Sequence, residues 1–176
     1  AMPLSLVGSE MCIRDRNEAV KSKKTPTCLI FSRQGTSAIS RTEDQLSLIN
    51  KGGYLIDESD NSDITLIASG SEVQLIIDAA KELKNHSISA NVVSMPSLDL
   101  FLQQSEEFQS SIINPDKPIL VVECSHPNSW YRILNRKDKV IGIESFGESA
   151  PGSELLEHFG FNTENVCLLY TSDAAD

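Results

Sequence analysis

Three short segments carry the residue types that could do chemistry. Ser32-Arg33-Gln34 follows the apolar run Cys28-Leu29-Ile30-Phe31. A guanidinium at the end of a buried strand can hold a phosphate through two parallel hydrogen bonds. Ser69-Gly70-Ser71-Glu72 follows a second apolar run and opens a helical pattern. Its free backbone N–H groups could receive a small anion. Equally, Ser71 or Ser69 could cap the helix with Glu72 in its first turn, and Glu72 would repel a phosphate, which favours the cap. Glu123 and Glu144 each end an apolar strand, where paired carboxylates could exchange protons or simply accept loop N–H groups. Of the three histidines, His86 and His158 fall at or within helix ends, and His126 lies in the loop after a strand. No serine or cysteine nucleophile sits in a recognisable elbow beside them, so no catalytic residue is assigned.

The elements that must position these groups alternate along the chain. Tyr54-Leu55-Ile56-Asp57, Ile64-Thr65-Leu66-Ile67-Ala68-Ser69, Ala90-Asn91-Val92-Val93-Ser94-Met95, Pro118-Ile119-Leu120-Val121-Val122-Glu123-Cys124 and Val140-Ile141-Gly142-Ile143-Glu144 read as strands. Between them, Val73, Ile76, Ile77, Ala80 and Leu83 recur at helical spacing, the segment 101–113 reads as one helix, and 153–159 reads as a closing helix stopped by Gly160. Near-continuous apolar strands alternating with helices predict an α/β fold. The sheet should be three-layered, five-stranded and mostly parallel, with helices on both faces.

The rest of the composition bounds the partners. A formal net charge of -10 argues against nucleic acid and against anionic membrane surfaces. Cys12, Cys28, Cys124 and Cys167 form no C-x-x-C pair and match no zinc spacing, so no metal site is assigned. Cys28 and Cys124 read as buried small hydrophobes, and the expected compartment is reducing, hence cytoplasmic. Residues 1–16 and 167–176 have a pasted-on character and are set aside as foreign-looking or disordered extensions. Between them, 17–35 holds a buried strand ending in a polar loop, 36–52 reads as a linker broken at Gly52-Gly53, and 53–166 carries the strand–helix alternation.

Taken in order, Leu29-Ile30-Phe31-Ser32-Arg33-Gln34, Gly52-Gly53-Tyr54, Ala68-Ser69-Gly70-Ser71-Glu72-Val73, Val92-Val93-Ser94-Met95-Pro96-Ser97 and Phe146-Gly147-Glu148-Ser149-Ala150-Pro151 resemble the transketolases. Phe159-Gly160-Phe161 and Glu164-Asn165-Val166 follow with the family's spacing, as does the Trp130-Tyr131 element. The resemblance implies the end of the pyrimidine-binding domain over 17–35 and the transketolase carboxy-terminal domain over 53–166. It also implies a parent enzyme of the pentose phosphate pathway, a homodimer that moves a two-carbon ketol unit between sugar phosphates. That parent uses thiamine diphosphate and a divalent metal, magnesium or calcium. The segments that bind cofactor and metal in the family map nowhere here, so neither is expected to bind this chain alone, and the chain is expected to be inactive alone. Arg33 matches the family arginine that contacts the substrate phosphate. The alternatives are a stand-alone regulatory or interaction module, as in the thiamine-dependent keto-acid dehydrogenases, or the second half of a split transketolase. The Ser-Arg-Gln and Ser-Met-Pro-Ser segments favour transketolase over the dehydrogenases.

Overall fold

The computed structural model describes residues 4–7, 16, 19–24, 26–31, 39–59 and 61–171. Two sheets form. In the smaller, β1 (Leu4–Val7) lies parallel to β2 (Thr27–Ile30). The residues of β1 thus come from the segment set aside above as an extension. The larger sheet has five strands in the order β3-β5-β4-β6-β7. These are β3 (Tyr54–Asp57), β4 (Ile64–Ala68), β5 (Ala90–Ser94), β6 (Ile119–Val122) and β7 (Lys139–Ile141). The β4–β5, β4–β6 and β6–β7 pairs are parallel, and edge strand β3 runs antiparallel to β5. This is the mostly parallel sheet that the continuous apolar strands demand.

Strand periodicity divides the core between two faces. Leu66 and Ala68 of β4 join Val92, Leu120 and Val122 against α2 (Val73–Asn85) and α6 (Thr163–Thr171), which contribute Val73, Ile76, Ala79, Leu83 and Val166. On the other face Ile67, Val93, Met95, Ile119 and Val121 pack against Phe101, Ile112 and Trp130. Helix α6 runs to Thr171, into the segment set aside as a tail, and Cys167, Leu169 and Tyr170 pack against the first cluster.

The second face departs from the expected single helix over 101–113. Two short helices occupy it, α3 (Leu98–Phe101) and α4 (Glu106–Ile112). Ser97 accepts the N–H of Leu100, and Ser105 accepts the N–H of Phe108. Each serine therefore starts a new helix, and the second start is what splits the segment. Before β3, α1 (Glu43–Leu48) opens on a reciprocal capping box between Thr42 and Gln45. Gln45 also donates to the carbonyls of Leu55 and Ile56, and Arg41 donates to the Tyr54 hydroxyl at 2.6 Å. The segment that reads as a linker is thereby tied to the edge strand. Gly160, with φ of 76°, ends α5 (Gly152–His158) as the glycine stop requires.

The connections create an asymmetry that matters for function. From β4 the chain rises to α2 on the first face and returns as β5. From β6 it enters the 3-10 turn Pro127–Arg132 on the second face and returns as β7. The connections that leave the carboxyl ends of the adjacent parallel strands β4 and β6 thus diverge to opposite faces, and a crevice opens between them.

Candidate functional site

That crevice brings together groups separated by more than fifty positions in the chain. The Ser69 hydroxyl donates to Glu123 Oε2 at 2.6 Å. Ser125 also hydrogen-bonds the Glu123 carboxyl, and the carboxylate of Glu72 stands near it. Glu72 is only 7% exposed and accepts from the Ser71 hydroxyl at 2.6 Å. Neither serine hydroxyl caps the helix, which corrects the cap expected from the sequence at Ser71 or Ser69. The helix is entered through a 3-10 turn, Gly70–Glu72, with no side-chain cap bond.

Burial dominates the electrostatics. It lifts the Glu123 carboxyl from an ordinary value near 4.5 to about 7, helped by the Glu72 charge and opposed by the bonds from Ser69 and Ser125. Cys124 lies beside both carboxylates. Burial, the Glu72 carboxylate and Glu123 push its thiol far above the usual range, so its thiolate is suppressed. By contrast, Cys28 is exposed, which corrects its reading as a buried hydrophobe: the small sheet leaves alternate positions of β2 open. In a Cys12→Ser background at pH 8, a thiol-specific disulfide reagent should modify Cys28 first and Cys124 last. The Cys124 reaction should appear only with denaturant, as mass spectrometry of digested protein would show. Rapid native labelling of Cys124 would contradict the burial.

A cleft of about 310 Å³ opens over this cluster, with Ser69, Glu123, Ser125 and Ser129 on one side and Met95, Ser97, Leu98 and Asp99 on the other. Ile30 of β2 and Trp130 also line it. At the rim, Arg132 donates to Asp99 at 2.6 Å, which ties the 3-10 turn to α3. A second cavity, lined by Lys137, Lys139 and Tyr170, lies at the opposite, amino ends of β4, β6 and β7.

The remaining candidates do not converge here. His126 Nδ1 accepts the N–H of Asn128 at 3.3 Å and so caps the 3-10 turn. His86 sits at the carboxyl cap of α2, and exposed His158 faces Glu148 at 3.7 Å. Glu144 is exposed, whereas Glu123 is mostly buried, and the carboxylate that acts on Glu123 is Glu72. Ser32, Arg33 and Gln34 lie outside the described residues. Among the described residues no group of three or more His, Cys, Asp or Glu side chains is arranged to hold a metal ion. The crevice itself does not fit a diphosphate, because Asp99 and Glu123 line it and the one guanidinium in its lining, Arg132, is already paired with Asp99. No helix among the described residues is long and apolar enough to cross a membrane.

Residues 52–162 match the family model of the transketolase-like carboxy-terminal domain. Over 150 residues the chain is 40% identical to transketolase 1 of Vibrio parahaemolyticus, covering 84% of this chain and 23% of that protein. It is 39% identical to transketolase 2 of Escherichia coli over the same length, covering 84% of this chain and 22% of that protein. The chain therefore spans less than a quarter of the length of these curated relatives. Among solved structures, transketolase from Pichia stipitis in complex with sedoheptulose 7-phosphate superimposes with a TM-score of 0.86 at 30% identity, over 98% of this chain and 25% of that one. Transketolase from Leishmania mexicana gives 0.85 at 30% identity, over 93% and 24%. A split-gene transketolase described as an inactive β4 tetramer shares the fold, with a TM-score of 0.65 at 19% identity over 93% and 55%.

Proposed function

The chain belongs to the transketolase family, and on that premise we propose that it works as the carboxy-terminal part of a thiamine-diphosphate-dependent ketol transferase, inactive without the domains that precede it in its relatives. The observation that carries this reading is 40% identity across 84% of the chain. In the reading, sugar phosphates of the pentose phosphate pathway are the substrates, the assembly is a cytoplasmic homodimer, and cofactor and metal are held by the preceding domains. When bound, thiamine diphosphate supplies the carbanion that accepts the ketol unit. This chain's own contribution is Arg33, which would hold the substrate phosphate by charge-assisted hydrogen bonds. Phe146 supports a contact with another subunit, since it is 97% exposed on the loop before α5. The fold shared with a split-gene transketolase supports a second reading, in which the preceding domains reside on a separate polypeptide.

The test replaces the corresponding segment of the Escherichia coli transketolase 2 by residues 17–166 of this chain and measures ketol transfer between sugar phosphates. The chimera should be active, and the chain alone, given cofactor, magnesium and substrates, should not. Arg33→Ala in the chimera should raise KM for phosphorylated substrates by roughly tenfold to a hundredfold, the worth of a hydrogen bond to a charged group, with cofactor affinity unchanged. Transfer by the chain alone, or an unchanged KM in the arginine variant, would refute the corresponding part of the reading.

A further inference from the structure

We propose that the crevice between the carboxyl ends of β4 and β6 is a binding site for a small uncharged sugar, recognised by Glu123 and the serines around it. The inference goes beyond ketol transfer and stands if that reading falls, since it uses only residues of the five-stranded sheet and its loops.

Position supplies the first argument. Ligands of open parallel sheets lie beyond the carboxyl ends of the strands, where neighbouring connections diverge to opposite faces. Here that divergence falls between β4 and β6, where Ser69 and Glu123 meet. The cleft is about 310 Å³, the lower end of the range for small-molecule sites.

The lining decides the class of ligand. Phosphate and carboxylate ligands are disfavoured, because Asp99 already occupies Arg132 while Glu72 and Glu123 contribute negative charge. A cation would satisfy the charges but not the hydroxyl proton of Ser129, since Ser69 and Ser125 already direct theirs to Glu123. A sugar hydroxyl both donates and accepts, so adjacent hydroxyls can donate to Glu123 while accepting from Ser129. Leu98, which is half-buried, offers apolar surface to the C–H face of a sugar ring. The strand-end carboxylate that meets sugar hydroxyls is a device other parallel sheets use for ribose.

The experiment titrates the ¹⁵N-labelled chain with D-ribose, ribose 5-phosphate and tetramethylammonium in separate arms and follows backbone amide shifts. Ribose should shift the amides of 69–72 and 123–129 saturably in the millimolar range. Ribose 5-phosphate should act on the same amides about tenfold more weakly. At pH 8, above the titration of the Glu123 carboxyl near 7, Glu123→Gln should weaken ribose binding about tenfold, the effect of replacing a charged acceptor by a neutral one. Ser129→Ala, at an exposed position, gives a second variant that should weaken it severalfold. Absence of saturable shifts at these amides would overturn the proposal. So would tighter binding of the phosphorylated sugar or of the ammonium ion, or unchanged affinity in both variants.

Discussion

Replacing Glu123 by glutamine should make the chain more stable at pH 8 and leave its stability nearly unchanged near pH 4. The carboxyl titrates near 7 in the folded chain and near 4.5 when unfolded, because folding takes it out of water beside Glu72. Between these values the folded state keeps a proton that the unfolded state has released. Stability from this group is therefore fully present below 4.5, falls as pH rises towards 7, and stays constant above it. The separation corresponds to about 3 kcal/mol at alkaline pH, as an order of magnitude. Glutamine keeps an oxygen to accept from Ser69 and carries no charge, so the variant should gain stability of that order at pH 8. Urea unfolding of both proteins at several pH values measures the difference and cancels the effect of the other carboxylates. A difference that does not grow between pH 4.5 and 7, or one of opposite sign, would show that Glu123 is solvated rather than buried. The same substitution is expected to weaken the sugar site. Glu123 would then be a group that costs folding stability and serves recognition.

The alternation of apolar strands and amphipathic helices is readable because the central strands bury both sides and show as continuous runs: Ile64 to Ala68 and Ile119 to Val122 are buried throughout. Gly160 was readable as a stop because a left-handed residue after a helix is nearly reserved for glycine. Strand order was not readable. Nothing local in Ser69 or Glu123 announces that β6 lies against β4 with β5 on the far side, so both residues drew attention singly and their hydrogen bond did not. The single helix expected over 101–113 failed for a local reason. Ser105 was a visible cap, but the apolar spacing of Phe101, Phe108 and Ile112 masked it, since α3 and α4 bury those residues on the same face. Glu72 falls in the first helical turn as the sequence indicates, but its burial depends on tertiary packing beside Cys124, which nothing local announces.

Gly52→Ala should destabilise the chain by roughly 3–5 kcal/mol, the sum of backbone strain and overpacking. Gly52 follows the 3-10 turn Ile49–Lys51 at φ of 91°, where a side chain is disfavoured before any contact is considered. A β-carbon there would stand 2.3 Å from the Ser97 carbonyl oxygen and 2.4 Å from the Phe101 N–H nitrogen. Both are backbone atoms of a packed segment and cannot rotate away. Nor can the loop retreat easily, because the Gly52 carbonyl accepts the Ser97 N–H at 3.0 Å and its own N–H donates to Ile49. Through Ser97 the strain passes to α3 and to Phe101, which is 1% exposed in the core of the second face. Gly147→Ala is the matched control: nothing lies within 4 Å of a β-carbon there, and its effect should stay within about 0.5 kcal/mol. Thermal and urea unfolding of the two variants would show the contrast. A Gly52 variant as stable as the Gly147 variant would mean that the joint between the capped segment at α1 and the five-stranded sheet is not closed by this contact.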